Sequence, residues 1–133
     1  MAEAISRIAV DAIGRLFRVQ GPASETDLNA KLGALISSHV ELKSEHPAAS
    51  FACASVIPDH TTVDYALVVE AKFIRKNTRP SKASEGMAAD LTKYPSDVHI
   101  LFLVYDPEHR IADDVTFCRD FESRGRCSVA ILR

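Results

Sequence analysis

Near the N-terminus the apolar positions follow a helical repeat. In "AEAISRIAVDAIGRLFRV" Ile5, Ile8, Ala12 and Leu16 share one stripe, while Arg7, Asp11, Arg15 and Arg18 occupy the other. Gly21-Pro22 ends that helix. Ser24 suits an N-cap, with Asp27 three residues on, and opens a second helix running to about Ser38. Its buried stripe is Leu28, Leu32, Leu35 and Ile36. Beyond the polar stretch "KSEHP" the period changes. "SFACASVIPD" reads as a strand ending at a proline, and "YALVVEAKF", apolar on both faces, as a central strand. The loop "RKNTRPSK" leads to a helix, "ASEGMAADLTKY", with Met87, Leu91 and Tyr94 on one side. "VHILFLVYD" is a further buried strand, "DDVTFCRDFE" a short helix and "CSVAILR" a last strand. The order helix, helix, then β-β-α-β-α-β predicts an α/β fold. It is a mixed central β-sheet flanked by helices, with an N-terminal helical pair and right-handed crossovers between parallel strands.

Composition narrows the class. The 133 residues, 47% hydrophobic and 26% charged, suit a single soluble domain. Residues 1–20 are expected to form a helical extension and residues 24–133 the core. No internal repeat or low-complexity segment interrupts the chain. No apolar run approaches the length of a membrane span, so no membrane partner is expected. The N-terminus lacks the basic-then-apolar pattern of a secretory signal. Cys53, Cys118 and Cys127 show no CxxC spacing, which suggests reduced thiols and a cytoplasmic setting rather than a disulfide framework or zinc site.

The net charge of −2 gives no global attraction for nucleic acid, but its distribution is uneven. Arg75, Lys76, Arg79 and Lys82 crowd one segment with no acid between them, and Arg119, Arg124 and Arg126 form a second group. Either group alone is ordinary for a solvated loop or helix face.

Glu70 and Lys72 bring in chemistry. They stand two apart in the most hydrophobic strand, and residues i and i+2 of a strand project from one face. Two charges on one face of a central strand are costly to bury unless they pair or bind something. A bare ExK triplet is common; geometry strengthens it. A hairpin turning near Asp64-Tyr65 places Asp59 directly opposite Glu70, with Cβ atoms about 5 Å apart. Two carboxylates at that separation suit one Mg²⁺, which takes a few oxygens and keeps several waters. The rival acid, Asp64, is six residues before Glu70, roughly 20 Å along a straight strand, and reads as a turn residue.

Two further acids fit the same picture. Glu25 shares the stripe of Leu28, Leu32 and Ile36, which points it toward the core, although a helix N-terminus favours an acid by dipole alone. Asp90 sits between Met87, Leu91 and Tyr94 on an apolar helix face. Such a cluster suits phosphodiester hydrolysis: a metal ion activates water and stabilises the leaving oxygen, and the lysine offsets charge at phosphorus. The other nucleophile classes lack support. His39, His46, His60, His99 and His109 show no metal-ligand spacing, and there is no G-x-S-x-G or glycine-rich phosphate loop. His60 should point to the strand face opposite Asp59, which suggests a surface or loop role.

These residues resemble a known family. Pro58-Asp59, ten intervening residues and "EAK" at Glu70–Lys72 resemble the motif of the PD-(D/E)XK nucleases. From about Glu25 to Arg133 the chain is similar to the Mbo-type restriction-endonuclease-like domain. "ETDLNAKLGALI" resembles its opening helix, with Asn29 in place of a glutamine. "PAASFACASVIPD" resembles its small-residue lead to the aspartate, with Ile57 and Pro58 where a basic residue is usual. "ADLTKYPS" looks like its Asp-apolar-x-x-Tyr helix, and "FLVYDPEHRI" like its closing strand and turn. The resemblance implies a restriction-endonuclease-like fold, with Mg²⁺ (Mn²⁺ substituting) on Asp59, Glu70 and the Ala71 carbonyl. Lys72 is then the catalytic lysine and Glu25 a supporting acid; from its helix face Asp90 is expected as a second supporting acid, and from their clustering Arg75, Lys76, Arg79 and Lys82 as nucleic-acid contacts.

The first expectation is therefore a Mg²⁺-dependent deoxyribonuclease acting in defence against foreign DNA or in DNA processing. RNA offers the same phosphates, and a homodimer is compatible with a site that cuts one strand. The alternatives are a catalytically silent DNA-binding or assembly module with this fold, and a structure-specific, junction-type dimeric nuclease.

Overall fold

Alternation along residues 67–73 sets the layers. Leu67, Val69 and Ala71 belong to one hydrophobic core, and Val68, two residues before Glu70, to the other. A strand buried on both faces needs helices on both sides. The computed structural model describes residues 1–44, 49–51, 54–56, 59–64 and 66–133. Its elements are α1 (Ala2–Leu16), α2 (Glu25–Ser37), β1 (Leu42–Ser44), β2 (Ala49–Phe51), β3 (Ala54–Val56), β4 (His60–Thr62), β5 (Leu67–Phe73), α3 (Pro80–Lys93), β6 (His99–Tyr105), α4 (Asp114–Glu122) and β7 (Cys127–Leu132).

The main sheet has the order β1-β4-β5-β6-β7. β1, β4 and β5 are antiparallel neighbours, and β5, β6 and β7 are parallel, joined through α3 and α4. This is the mixed α/β sheet expected. On one face α1 and α2 supply Ile5, Ala9, Ile13, Leu28, Leu32 and Ile36. On the other, α3 supplies Ala83, Met87, Leu91 and Tyr94, and α4 supplies Phe121. α1 is thus part of the first core layer.

Local chemistry accounts for the boundaries. Ser24 caps α2 through a hydrogen bond from Asp27 N to its side chain, as its spacing predicts. Asp113 caps α4 in the same way. Two boundaries depart from the sequence pattern. α3 begins at Pro80, inside the stretch read as a loop, because proline suits the first helical turn. The segment read as one strand before Asp59 instead contributes β2 and β3, which pair with each other in a small separate sheet. A short edge strand, β1, runs from Leu42 into what reads as a polar linker and pairs with β4.

Candidate active site

Register decides which side chains meet. β4 and β5 pair His60 with Val69 and Thr61 with Val68, the register that a turn at Asp64 requires. Asp64 closes that turn, its Oδ1 accepting from Thr62 Oγ1 at 2.6 Å and Ala66 N at 3.0 Å. It is a turn residue, as expected. Extending the ladder by one pair brings Asp59 beside Glu70. The Asp59 Oδ2 atom accepts from Ala71 N at 3.1 Å, which sets its carboxyl close enough to Glu70 for the charge of one to bear on the other. Pro58 of the motif lies outside the described residues, as do Cys53, Tyr65 and His46.

Glu70 is 7% exposed. Burial, and then the charge of Asp59, push its carboxyl up to about 8; a hydrogen bond from Tyr94 opposes them. That bond, Tyr94 Oη to Glu70 Oε1, is 2.5 Å long. Burial and the adjacent Glu70 drive the Tyr94 phenol further from ionisation, so it stays a donor.

Lys72, on the same strand face, is held by α3. Its Nζ lies 2.7 Å from Asp90 Oδ2, with both side chains largely buried, and Lys93 reaches the other Asp90 oxygen at 3.2 Å. Burial works against the Lys72 ammonium, but Asp90, followed by Glu25 and Glu70, outweighs it and raises its pKa. Lys72 is therefore a fixed cation and not a base.

Glu25 is exposed, not core-facing as its stripe suggests. It lies in the first turn of α2, past the end of the packed stripe. From there its Oε2 accepts from Phe73 N at 3.1 Å, at the C-terminal end of β5. It thus stands at the rim of the site, within electrostatic reach of Lys72. Between the two helices a cavity of about 530 Å³ opens beside Lys72, lined also by Glu25, Thr78, Lys82 and Gly86. A more apolar hollow of about 560 Å³ lies at the other end of β5, beside Leu67, away from Glu70 and Lys72.

The basic loop divides. Arg75 is engaged: it donates to Ala23 O at 2.6 Å and lies over the Phe73 ring. Lys76, Arg79 and Lys82 are exposed, and among the described residues no carboxylate pairs with them. Arg110 hydrogen-bonds the Lys76 carbonyl and ties that loop to the one after β6. In the second basic group, Arg126 is taken up in capping α3, bonding the carbonyls of Leu91, Tyr94 and Pro95.

Besides Glu25, His60 and Tyr94 differ from or exceed what the sequence implies. His60 points away from Asp59 as expected, yet it is 4% exposed rather than at the surface. Its Nε2 meets Asn29 O at 3.1 Å, and its ring fills the space over Gly33. Periodicity marks Tyr94 as an apolar helix residue and the resemblance as the tyrosine of an Asp-apolar-x-x-Tyr helix, but neither foretells its bond to Glu70.

Among the described residues no three His, Cys, Asp or Glu side chains stand close enough to hold an ion by themselves. The oxygens of Asp59 and Glu70, brought side by side by the register, are hard donors of the kind a hydrated Mg²⁺ takes, so the residues present fit such an ion. The pair is unfavourable without a cation, since burial and mutual charge both oppose ionisation of Glu70.

A mixed sheet carrying two acids and a lysine at the end of its central strand defines the PD-(D/E)XK class. A family model described as REase_DpnII-MboI matches residues 23–133, and the chain belongs to that DpnII-MboI restriction endonuclease family. The match begins after α1. The family places the protein among DNA-cleaving nucleases. No curated protein and no solved structure matches the chain. Among the described residues no helix is long and apolar enough to cross a membrane.

Proposed function

We propose that the protein is a Mg²⁺-dependent deoxyribonuclease whose site is Asp59, Glu70 and Lys72, acting in defence against foreign DNA or in DNA processing. The observation that carries this reading is the register that sets Asp59, bonded to Ala71 N, beside Glu70 on the strand from which Lys72 projects. Asp59, Glu70 and the Ala71 carbonyl would hold the ion, with Mn²⁺ able to replace Mg²⁺. When bound, it supplies Lewis acidity toward the scissile phosphate and lowers the pKa of a coordinated water.

The chain's own groups do the rest. Lys72, kept cationic by Asp90, orients the attacking water and offsets the charge that builds on phosphorus. The cavity beside Lys72 gives room for the phosphate. Glu25, fixed to Phe73 N, borders that cavity and acts on Lys72 from the rim. Lys76, Arg79 and Lys82 contact the DNA backbone as point charges, and Arg75 supports the loop that carries them.

Plasmid nicking with Mg²⁺, repeated for Glu70→Gln and Lys72→Ala, tests this. The parent should nick and both variants should lose activity with their fold intact by circular dichroism. Parental cleavage by either variant rejects the site. A parent inert with every divalent metal and DNA form favours the silent-module reading.

A further inference from the structure

The α3 helix meets Glu70 and Lys72 through two residues one helical turn apart. Tyr94 bonds Glu70 Oε1 at 2.5 Å, and Asp90 pairs with Lys72 at 2.7 Å. The spacings match: four residues of helix advance about 6 Å and two residues of strand about 6.6 Å. Asp90 accounts for the lysine. Nothing in the hydrolytic scheme uses the tyrosine.

We propose that Tyr94 is a positioning residue for metal binding, its hydroxyl locking the Glu70 carboxylate so that the oxygen it leaves free is presented to the ion. The inference rests on the reading that Glu70 is a metal ligand. A glutamate carboxyl turns freely about its last torsion, a broad and roughly two-fold well. One buried hydroxyl fixed to Oε1 removes that freedom. Once a bound cation ionises Glu70, a hydroxyl donating to its carboxylate belongs to the strong, charge-assisted class.

The donor is itself held. Tyr94 is 4% exposed, in the core formed by Val68, Met87, Leu91, Val98 and Ile100. Its carbonyl accepts from Arg126 Nη2 at 2.9 Å, and the same guanidinium bonds Pro95 O at 2.7 Å and Leu91 O at 3.1 Å. A line of fixed contacts therefore runs from the start of β7, through the C-terminus of α3, to the ligand oxygen. Outer contacts of this kind orient metal ligands, and removing one typically weakens binding or activity about 10–100-fold.

The test is Mg²⁺ binding without DNA, measured by calorimetry on the parent, Tyr94→Phe and Glu70→Gln. A difference absorption spectrum on adding Mg²⁺ reads the same event, since the chain has three tyrosines and no tryptophan. Tyr94→Phe should bind Mg²⁺ about 10–100-fold more weakly and need correspondingly more for nicking. The parent should show a tyrosine perturbation on Mg²⁺ addition that Tyr94→Phe lacks. Parental Mg²⁺ affinity in Tyr94→Phe overturns the proposal, as does a parent that binds Mg²⁺ through Glu70 with no tyrosine signal. The parent readout needs no substitution, so a poorly folded variant does not rescue the idea. A Glu70→Gln protein that binds Mg²⁺ like the parent, or a parent that binds none, instead overturns the metal-site reading beneath it.

Discussion

Lys72 and Asp90 meet at 2.7 Å between the central strand and α3, with 15% and 10% of their side chains exposed. Breaking a buried pair from one side is costly because the remaining charge is left uncompensated. Asp90→Asn should destabilise the fold by about 3 kcal/mol, the low end for such pairs, because the amide keeps the size and one acceptor. Cleavage should fall about tenfold or more as the ammonium loses its anchor. Urea unfolding and nicking rates measure the two effects. Parental nicking would show that Asp90 serves stability alone.

Glu70 makes the stability of the fold depend on pH. Its carboxyl is raised from 4.5 to about 8 in the folded chain, by burial first and Asp59 second. Between those values the folded state holds a proton that the unfolded chain has released. The stabilising contribution is therefore complete below pH 4.5 and is lost as pH rises through about 8. Chelator-treated protein should melt at progressively lower temperature across that window, and Glu70→Gln should flatten the decline. Mg²⁺ should raise the melting temperature more at the alkaline end, where the carboxyl is already ionised. A flat profile for the parent would remove Glu70 as the group responsible.

Gly86 bears on access to the site. A Cβ placed there would stand 3.7 Å from the Lys72 Nζ atom, an ordinary contact, and the residue lines the cavity beside that amine. Gly86→Ala should be tolerated and add up to about 1 kcal/mol, since alanine is the better helix former. Gly86→Leu projects further into the cavity. It should cut DNA cleavage sharply while leaving Mg²⁺ binding and the melting temperature near parental values. If Gly86→Leu cleaves normally, the phosphate enters elsewhere.

The contrast between Asp59 and His60 shows how far sequence reasoning reaches. Strand side chains alternate with period two, so a turn at Asp64 was enough to set Asp59 against Glu70 and His60 on the other face. What His60 meets on that face depends on a different element. The gap that takes its ring exists because α2 carries Gly33, where a Cβ would stand 2.2 Å from the imidazole. No local pattern links two positions so far apart in the chain. Glu25 shows the same limit: helical phase predicts its direction, but the packed stripe ends at Leu28, and the acid turns to a strand-end amide. Tyr94 is the opposite case, since its apolar ring followed from the periodicity and its hydroxyl partner did not. α3 starts early because proline marks both loops and first helical turns, and only tertiary packing separates the two.

Gly33 itself supplies a further test. The His60 ring is buried and bonded to Asn29 O, so it has little room to yield to a new methyl group. Gly33→Ala should cost about 1–3 kcal/mol, the usual range for overpacking. Because His60 adjoins Asp59, nicking should fall along with the melting temperature. A companion His60→Ala change, which empties the space, should restore part of the stability that Gly33→Ala removes. No such coupling in the double variant would mean the two residues do not compete for one volume.

The basic loop yields a prediction that separates binding from architecture. Lys76, Arg79 and Lys82 are exposed and, among the described residues, unpaired with any carboxylate, so each is free to neutralise one phosphate. Each neutralised phosphate releases condensed counterions, which adds about 0.9 to the steepness of log affinity against log salt. Alanine at any one of the three should make that slope shallower by about 1, weaken binding across all sequences alike and leave the melting temperature unchanged. Arg75 should behave differently. Its guanidinium is already committed to the Ala23 carbonyl and stacked on Phe73, holding the end of β5 to the start of α2. Arg75→Ala should therefore lower the melting temperature and shift the salt slope less than the other three. DNA-binding isotherms at several salt concentrations measure this. A slope unmoved by all three lysine and arginine substitutions would place the DNA on another face.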